Sequence, residues 1–396
     1  AGATIEVANG TYTEPVEITT PGVTLTAHGE TQPTIETAAP GFYEPVVRID
    51  APDVTVEQID VVVTGFLPGD GVVAERSNAT IRHVSVQDAA HAIRIGGAGT
   101  TAHDAVIHDV NVSGGSSVLA RGVTVGHADN AHVYNATISD QNAGIDVYDS
   151  ANSVVENNTV TDSGVGVASF ETDDLRVLNN EVYDGNEEKT RAATVGVQLE
   201  SFVTSATVSG NEINDVSEGI YVSGINTGAE ISHNTVTDTD YGVWLEGGDL
   251  PALDVQYNDL AGANVSLGSN LAQTLPATLN YHGDRAGDEP FVQGNVSYEP
   301  FLTAPPEQVN TNETRRFGVD LTLEAGNVYG VSVPGSTDQT VSELFNDEFE
   351  GAVYGFDARE QSWTLLSGDD TVDALQGLAV VAESDGRMTI THYTGT

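Results

Sequence analysis

The chain has 396 residues, of which 59 are acidic and 13 basic, for a formal net charge of −46 at pH 7, and it contains no cysteine. That charge excludes a nucleic-acid phosphate backbone as partner, and the missing thiols exclude disulfides and thiolate metal sites. No apolar stretch reaches the roughly 18 residues that a membrane-spanning helix requires.

In chain order, the first predicted element is a strand at Thr4-Ile5-Glu6-Val7; the sequence starts there as a mature or trimmed chain is expected to, and no signal peptide is read. From Val56 onward one motif recurs about every 22 to 26 residues, with apolar anchors at positions 56, 81, 107, 133, 155, 177, 208, 231 and 255. In the first four copies the anchor is followed by apolar residues three and five places on, as in Ile81/Val84/Val86 and Ile107/Val110/Val112; the later five keep the apolar residue at five and carry Asn at three. A second short run then follows, such as Gly122-Val-Thr-Val125, Gly144-Ile-Asp-Val147, Gly219-Ile-Tyr-Val222 or Gly242-Val-Trp-Leu245. Runs of this length, rich in Val and Ile and separated by Gly, Asp, Asn and Ser, read as short strands. One such unit cannot bury its apolar face alone, whereas stacked copies bury a continuous one. No amphipathic helical stretch is present for helical or leucine-rich repeats, and a propeller blade needs about 40 residues. The sequence therefore predicts an all-β, right-handed parallel β-helix of about 10 to 11 coils. It is placed at residues 1–305, with a closing segment at 268–305.

Pro305-Pro306 and the polar run to Thr314 read as a linker, 306–314, after which the repeat is lost. Residues 315–396 are predicted to form a small β-rich module, with short helices at Thr340 to Phe345 and Thr371 to Leu375.

Within the repeat, Asn158, Asn180, Asn211, Asn234 and Asn258 share the slot three places after the anchor. Stacked at roughly 4.8 Å, they are expected to form an inward ladder whose amides bond one another. Seven places after the anchor stand Asp88, Gly114, Asp140, Asp162, Asp184, Asp215, Asp238 and Gly262. Bare carboxylates about 5 Å apart repel by about 3 kcal/mol at an effective dielectric of 20. Either these aspartates bond turn amides, or Asp140, Asp162, Asp184, Asp215 and Asp238 hold Na⁺ or Ca²⁺ along one edge.

Only 18% of residues are charged while 39% are hydrophobic, so the acids are scattered through an ordered fold and not gathered in a disordered tail. Lys189 is the only lysine. Such a chain repels itself in dilute buffer, and at about 1 M salt the Debye length shrinks to roughly 3 Å. The composition resembles that of proteins from extremely halophilic archaea; the alternative is an acidic secreted protein that binds many cations.

The repeat resembles the broad β-helix superfamily of carbohydrate-binding proteins and sugar hydrolases, and most closely the NosD-type group of haloarchaeal surface proteins. Ala1 to Tyr12 looks like that group's first coil without the usual helical cap. Asn280 to Gly287 and Val296 to Leu302 look like its closing segment, with His282 where the group tends to carry Trp. The C-terminal residues resemble a module of prokaryotic cell-surface proteins. The resemblance implies fold, not activity, because the superfamily mixes enzymes, binders and scaffolds.

Chemistry is sparse. Asp173 and Asp174, with Arg176 and His127 near by, are the only candidates for a glycan-cleaving set, yet adjacent strand residues face opposite sides. Six histidines, His83, His91, His103, His108, His127 and His132, fall within 50 residues. They occupy different registers, so they are expected to scatter around the coil and not to share a metal. Two longer connections leave the same turn, Gly114 to Arg121 and Gly185 to Val195; Arg121, Lys189 and Arg191 make them the candidate surface for a ligand or partner. Glycosylation sequons occur at Asn9, Asn78, Asn111, Asn135, Asn157, Asn264, Asn295 and Asn312.

These features predict a non-catalytic secreted or cell-surface scaffold for adhesion, glycan or partner binding, or a structural subunit of an extracellular filament or viral appendage. A polysaccharide hydrolase, lyase or epimerase is the alternative, and a metal-handling accessory protein the second. No cofactor is required, with Ca²⁺ or Na⁺ as the candidate ions. The expected partners are like subunits, other surface proteins and extracellular glycans.

Overall fold

The computed structural model describes residues 2–38, 44–65, 69–97, 99–100, 102–115, 119–186, 193–224, 226–248, 252–283, 292–299, 301–302, 304–306, 315–332, 339–345, 351–357, 362–372 and 377–394. Lys189, Arg191 and Asn312, and all but the first residue of the expected linker, lie outside them.

The chain winds into a right-handed parallel β-helix of three sheets, with 11 strands in sheet A, 10 in sheet B and 12 in sheet C. Coil by coil, up to Thr239–Glu246, the chain gives one strand to each sheet in that order; after Asp254–Gln256 in sheet A it passes to Ala263–Ser269 in sheet C with only an isolated bridge at Asp259 between them. Sheet A carries the anchors, which stack in one column: Ile5, Leu25, Val56, Ile81, Ile107, Val133, Val155, Val177, Val208, Ile231 and Val255. Sheet B stacks the positions five further on, Val61, Val86, Val112, Ile138, Val160, Val182, Ile213 and Val236. Sheet C brings Ile93, Val123, Ile145, Val167, Val197, Ile220 and Val243 into register. All belong to one continuous buried core except Ile5, which is 49% exposed.

Each coil turns at three places where one residue takes the left-handed backbone. Examples are Asp53, Asn78, Asp104, Asn130, Asn152 and Asp174 three places before the anchor; Gln58, His83, Asp109, Asn135, Asn157 and Asn179 two after it; and Asp88, Asp140, Asp162, Asp184, Asp215 and Asp238 seven after it, with φ between 50° and 61°. Asn and Asp tolerate this conformation better than other residues with a Cβ. The acidic register thus has a backbone cause.

Gly219, second in strand Glu218–Ser223 of sheet C, is glycine for a different reason. A Cβ on Gly219 would meet Val236 Cγ1 at 2.4 Å and Gly242 O at 2.6 Å, because strand and core approach each other there without room for a methyl group.

The asparagine ladder has six rungs. Asn280 joins the expected five, and all are at most 1% exposed. Each Nδ2 donates to the next rung's Oδ1 at 2.8–2.9 Å. It also donates to an anchor carbonyl of the preceding coil at 2.8–3.0 Å. The same Oδ1 accepts the backbone N–H of the rung before it, beginning with Ala136 N–H on Asn158 Oδ1 at 2.9 Å.

Beyond the helix lies a small β-rich domain with its own core, including Leu323, Leu344, Phe345, Val353, Val372 and Val380. Strands Val328–Ser332, Gly377–Ala382, Gly351–Asp357 and Ser362–Leu366 form an antiparallel sheet in that order. Arg315–Leu323 pairs with Gly386–Thr394 and, at Gly318 and Phe317, with Phe301 and Leu302. The first expected helix is a single turn, Val341–Leu344. The second is corrected at its start: Thr371–Val372 is a strand paired with Gln339–Thr340, as its β-branched residues favour.

Candidate functional site

The outer face of sheet C carries the helix's richest chemistry. Strand residues alternate, so with Ile93 and Ile95 inward the residue between them faces out. The outward column reads Arg48, Val73, Arg94, Thr124, Asp146, Ala168, Gln198, Tyr221, Trp244 and Gly268.

Its first half is built of ion pairs. Asp70, fully buried, accepts from Arg94 Nε at 2.9 Å and pairs with His91 Nδ1 at 2.7 Å. Arg48 pairs with Glu75 at 2.8 Å, Arg76 with Asp50 at 2.7 Å and Arg121 with Asp146 at 2.5 Å. Arg121 is therefore the first residue of strand Arg121–Gly126, committed to Asp146 and Asn142, and not a free loop cation. Tyr148 lies over Gly126, where a Cβ would meet its ring. Burial, and then the charge of Asp146, push its phenol above the ordinary tyrosine range.

The second half is aromatic and acidic. Trp244 lies over Gly268, where a Cβ would meet its ring at 2.3 Å, so this glycine makes the platform. The Tyr241 and Trp244 rings are 4.7 Å apart and tilted by 48°. Tyr221, beside Trp244 on the preceding coil, donates its hydroxyl to Glu246 Oε2 at 2.8 Å. Burial, reinforced by that bond and by the charges of Glu246 and Glu218, pushes Tyr221 up to about 12. Glu218, beside Tyr241, is itself held above the usual glutamate range, first by burial and then by the charge of Glu246.

At the sheet B side of this face lies a cavity of about 470 Å³, lined by Asp215, Ser217, Asp238, Thr239, Asp240 and Asn264 among others. The volume falls in the range of small-molecule sites, roughly 300–1,000 Å³. The Thr239 hydroxyl is buried there with no hydrogen-bond partner among the described residues. Ser217 and Asp240 join this cavity by chain continuity to Glu218 and Tyr241.

The sequence candidates lie elsewhere. Asp173 is exposed and accepts from the Thr204 hydroxyl. It lines a shallow cavity of about 340 Å³ with Asp129, Asp149, Glu171 and Phe202. Asp174 is a left-handed turn residue, Arg176 is an exposed first residue of a sheet A strand, and His127 pairs with Asp149. Asp173 thus shares its cavity with Asp149, the partner of His127, whereas Asp174 and Arg176 are not among the residues that line it.

The histidines correct the register argument in part. The His83 and His108 rings meet edge to face at 6.1 Å, His108 stacks on Tyr134 at 4.7 Å, and Tyr134 meets His132 at 4.5 Å. Rings from neighbouring registers are large enough to bridge the spacing between coils. Each of these contacts is aromatic, and the imidazoles turn to carboxylates: His108 to Asp109 at 2.6 Å and His132 to Glu156 at 2.8 Å. The His108 bond holds the Asp109 carboxyl below the usual range.

Among the described residues no three His, Asp or Glu side chains are grouped to hold a metal ion. Asp140, Asp162, Asp184, Asp215 and Asp238 are all left-handed turn residues, which is a backbone reason for Asp at those sites. The seven sequon asparagines that are described, Asn9, Asn78, Asn111, Asn135, Asn157, Asn264 and Asn295, are all exposed. Asn78, Asn135 and Asn157 are also left-handed turn residues, a backbone reason for Asn at those sites.

The family model for the right-handed β-helix region matches residues 99–259. None of the curated proteins matches the chain. Among solved structures, a hyperthermoactive exopolygalacturonase from Thermotoga maritima is similar over 66% of this chain and 80% of its own, at 12% identity and a TM-score of 0.50. An alginate lyase from Paenibacillus sp. str. FPU-7 is similar over 63% of this chain and 90% of its own, at 14% identity and a TM-score of 0.51. The shared property is the right-handed parallel β-helix. No helix among the described residues is long and apolar enough to cross a membrane.

Proposed function

We propose that the protein is a glycan-binding β-helix of a secreted, cell-surface or virion-associated particle that works in brine, its ligand lying along the outer face of sheet C. One observation carries this reading: Tyr221, Tyr241 and Trp244 form a half-exposed aromatic platform beside a cavity lined by hydroxyl, amide and carboxylate groups. Aromatic faces take the apolar side of a sugar ring, and the polar rim takes its hydroxyls. The structural neighbours are named for enzymes of pectic and alginate chains, which makes an extended glycan a natural ligand class for such a face. Immobilised polysaccharides screened at molar NaCl test the reading. Wild type is expected to bind at least one and Trp244→Ala to lose it; no binding by wild type ends the proposal.

The brine habit rests on the net charge of −46. Cations gather on the acidic edges as a screening atmosphere, so the melting temperature is expected to climb with ionic strength whichever salt supplies it. At fixed ionic strength a chelator leaves it unchanged; a fall on adding EDTA would restore a specific Ca²⁺ site.

A further inference from the structure

The four-stranded sheet of the C-terminal domain ends in strand Ser362–Leu366, and no described strand pairs with its outer side. Its sequence, Ser-Trp-Thr-Leu-Leu, holds no charge and no proline, in a chain of net charge −46. Folded proteins usually guard such an edge with a charge, a proline or a bulge, because its spare N–H and C=O groups recruit another strand. The side chains here are open as well: Trp363 is 53% exposed and Leu365 59%. Both stand on the face that carries their register partners Phe356 and Tyr354, with the Trp363 and Phe356 rings 5.0 Å apart. The edge is uncharged, unguarded and apolar on one face.

We propose that two copies of this chain associate through that edge, joining their four-stranded sheets into one of eight strands. The strand is complementary to itself. Turned antiparallel about a two-fold axis through Thr364, it sets Thr364 against Thr364 of the partner subunit. Trp363 then lies opposite Leu365 of the partner subunit, and Leu365 opposite the partner subunit's Trp363. These two cross-strand pairs flank the axis on one face and cover apolar area that each copy alone leaves in water. That symmetry singles out a second copy over an unrelated strand. The opposite edge of the sheet, Val328–Ser332, centres on Gly330, which has no side chain to place at such an axis.

Charge decides where two such chains can touch. Bodies of net charge −46 repel each other, and a seam without ionisable groups adds no like pair at the contact. Salt screens the general repulsion and leaves the seam intact, so association tightens as NaCl rises, opposite to a contact made of ion pairs. The five residues span only roughly 17 Å of edge, so the dimer is weak and concentration-dependent. A dimer carries two sheet C faces, which raises avidity for a repetitive glycan. That consequence alone rests on the glycan-binding reading above.

The test uses the full chain in molar NaCl. Sedimentation is expected to show wild type in a monomer–dimer equilibrium that tightens as NaCl rises. Thr364→Asp and Thr364→Lys each bring like charges together at the axis, where the paired strands exclude water and screening reaches less. Each variant is expected to dimerise at least about 10-fold more weakly than wild type. Mixed in equal amounts, the two are expected to pair with each other to within about threefold of wild type. The chain has no cysteine, which gives a second readout. Thr364→Cys thiols meet across the axis with Cα atoms about 4.5–5.5 Å apart, inside the disulfide range of about 4.4–6.8 Å. Ser362→Cys residues lie roughly 14 Å apart along the strand and are expected to stay reduced under the same mild oxidant. The two-fold pairing is overturned by a wild type that is monomeric at all concentrations, or by association that weakens with salt. It is equally overturned if the charged variants fail to pair when mixed, if S362C cross-links as readily as T364C, or if assemblies grow beyond two.

Discussion

In the first half of the helix the residue three places after each anchor is Ile59, Val84, Val110 or Ala136, all buried; in the second half it is Asn158, Asn180, Asn211, Asn234, Asn258 or Asn280, equally buried. The outer face of sheet C changes over the same stretch. Its first half pairs Arg48, Arg94 and Arg121 with carboxylates, and its second half sets Glu218 and Glu246 among aromatics without a described cation. One backbone repeat thus accepts either an apolar filling or a polar one. The polar filling has a condition: each amide must find its neighbour, because an isolated buried amide costs about 1–3 kcal/mol for each group left unpaired. A single rung is a liability; six in register are a spine.

The harshest way to break this contrast is to remove an inner rung. Asn211→Ala takes the acceptor from the buried Asn180 N–H and from one of its two Nδ2 hydrogens, the other staying on Val155 O, and takes the Asn211 side-chain donor from Val177 O. A loss of about 3–6 kcal/mol is expected in a denaturant titration at molar salt. A loss under about 1 kcal/mol would mean that water or a shifted backbone replaces the rung.

The ion-paired half has its own equivalent. Arg94→Met strips the fully buried Asp70 of its guanidinium and is expected to cost about 3 kcal/mol. Arg82→Met, which breaks the more exposed pair with Glu57, is expected to cost less than about 1 kcal/mol. Equal losses from both would contradict the role given to burial.

Moving the asparagine across the boundary sharpens the comparison further. Val84→Asn places a lone amide between apolar neighbours and is expected to cost about 2 kcal/mol. Ala136→Asn sits one rung before Asn158, whose Oδ1 already accepts the Ala136 N–H, so it extends the ladder and stays within about 1 kcal/mol of wild type. Similar losses from both substitutions would show that neighbours do not matter.

The anchors and five of the six rungs are legible in the sequence because period and residue type coincide there. Asn280 escapes because its anchor slot is Ala277, too small to mark the column. The Asp register is equally visible, but its cause, a left-handed backbone, belongs to the turn and leaves only a residue preference behind. The platform was partly in view: Gly219-Ile-Tyr-Val and Gly242-Val-Trp-Leu read as apolar strands, yet Tyr221 and Trp244 occupy the outward slot that holds Arg94 and Asp146 in earlier coils. An aromatic at an outward slot was the available signal. The environment of Glu218 left none, since burial at the start of a strand depends on which coil lies beside it.

The smallest effect concerns that glutamate. Its folded-state pKa is raised, so between the ordinary glutamate value and the raised one the folded chain binds more protons than the unfolded chain. Stability then falls as pH rises through that window, and above it the full penalty persists. Glu218→Gln removes the titration, so its stability advantage over wild type is expected to be absent below the ordinary value and to grow as pH climbs. Taking the difference between the two proteins cancels the self-repulsion of the other acids, which both share. Glu246→Gln supplies the finer measurement. Burial is the larger cause of the shift and the Glu246 charge the smaller, so this second variant is expected to narrow the window without closing it. Were the pH dependence to vanish in Glu246→Gln, the neighbouring charge would be the main cause, and Glu218 would be an exposed acid of the kind found elsewhere on the helix.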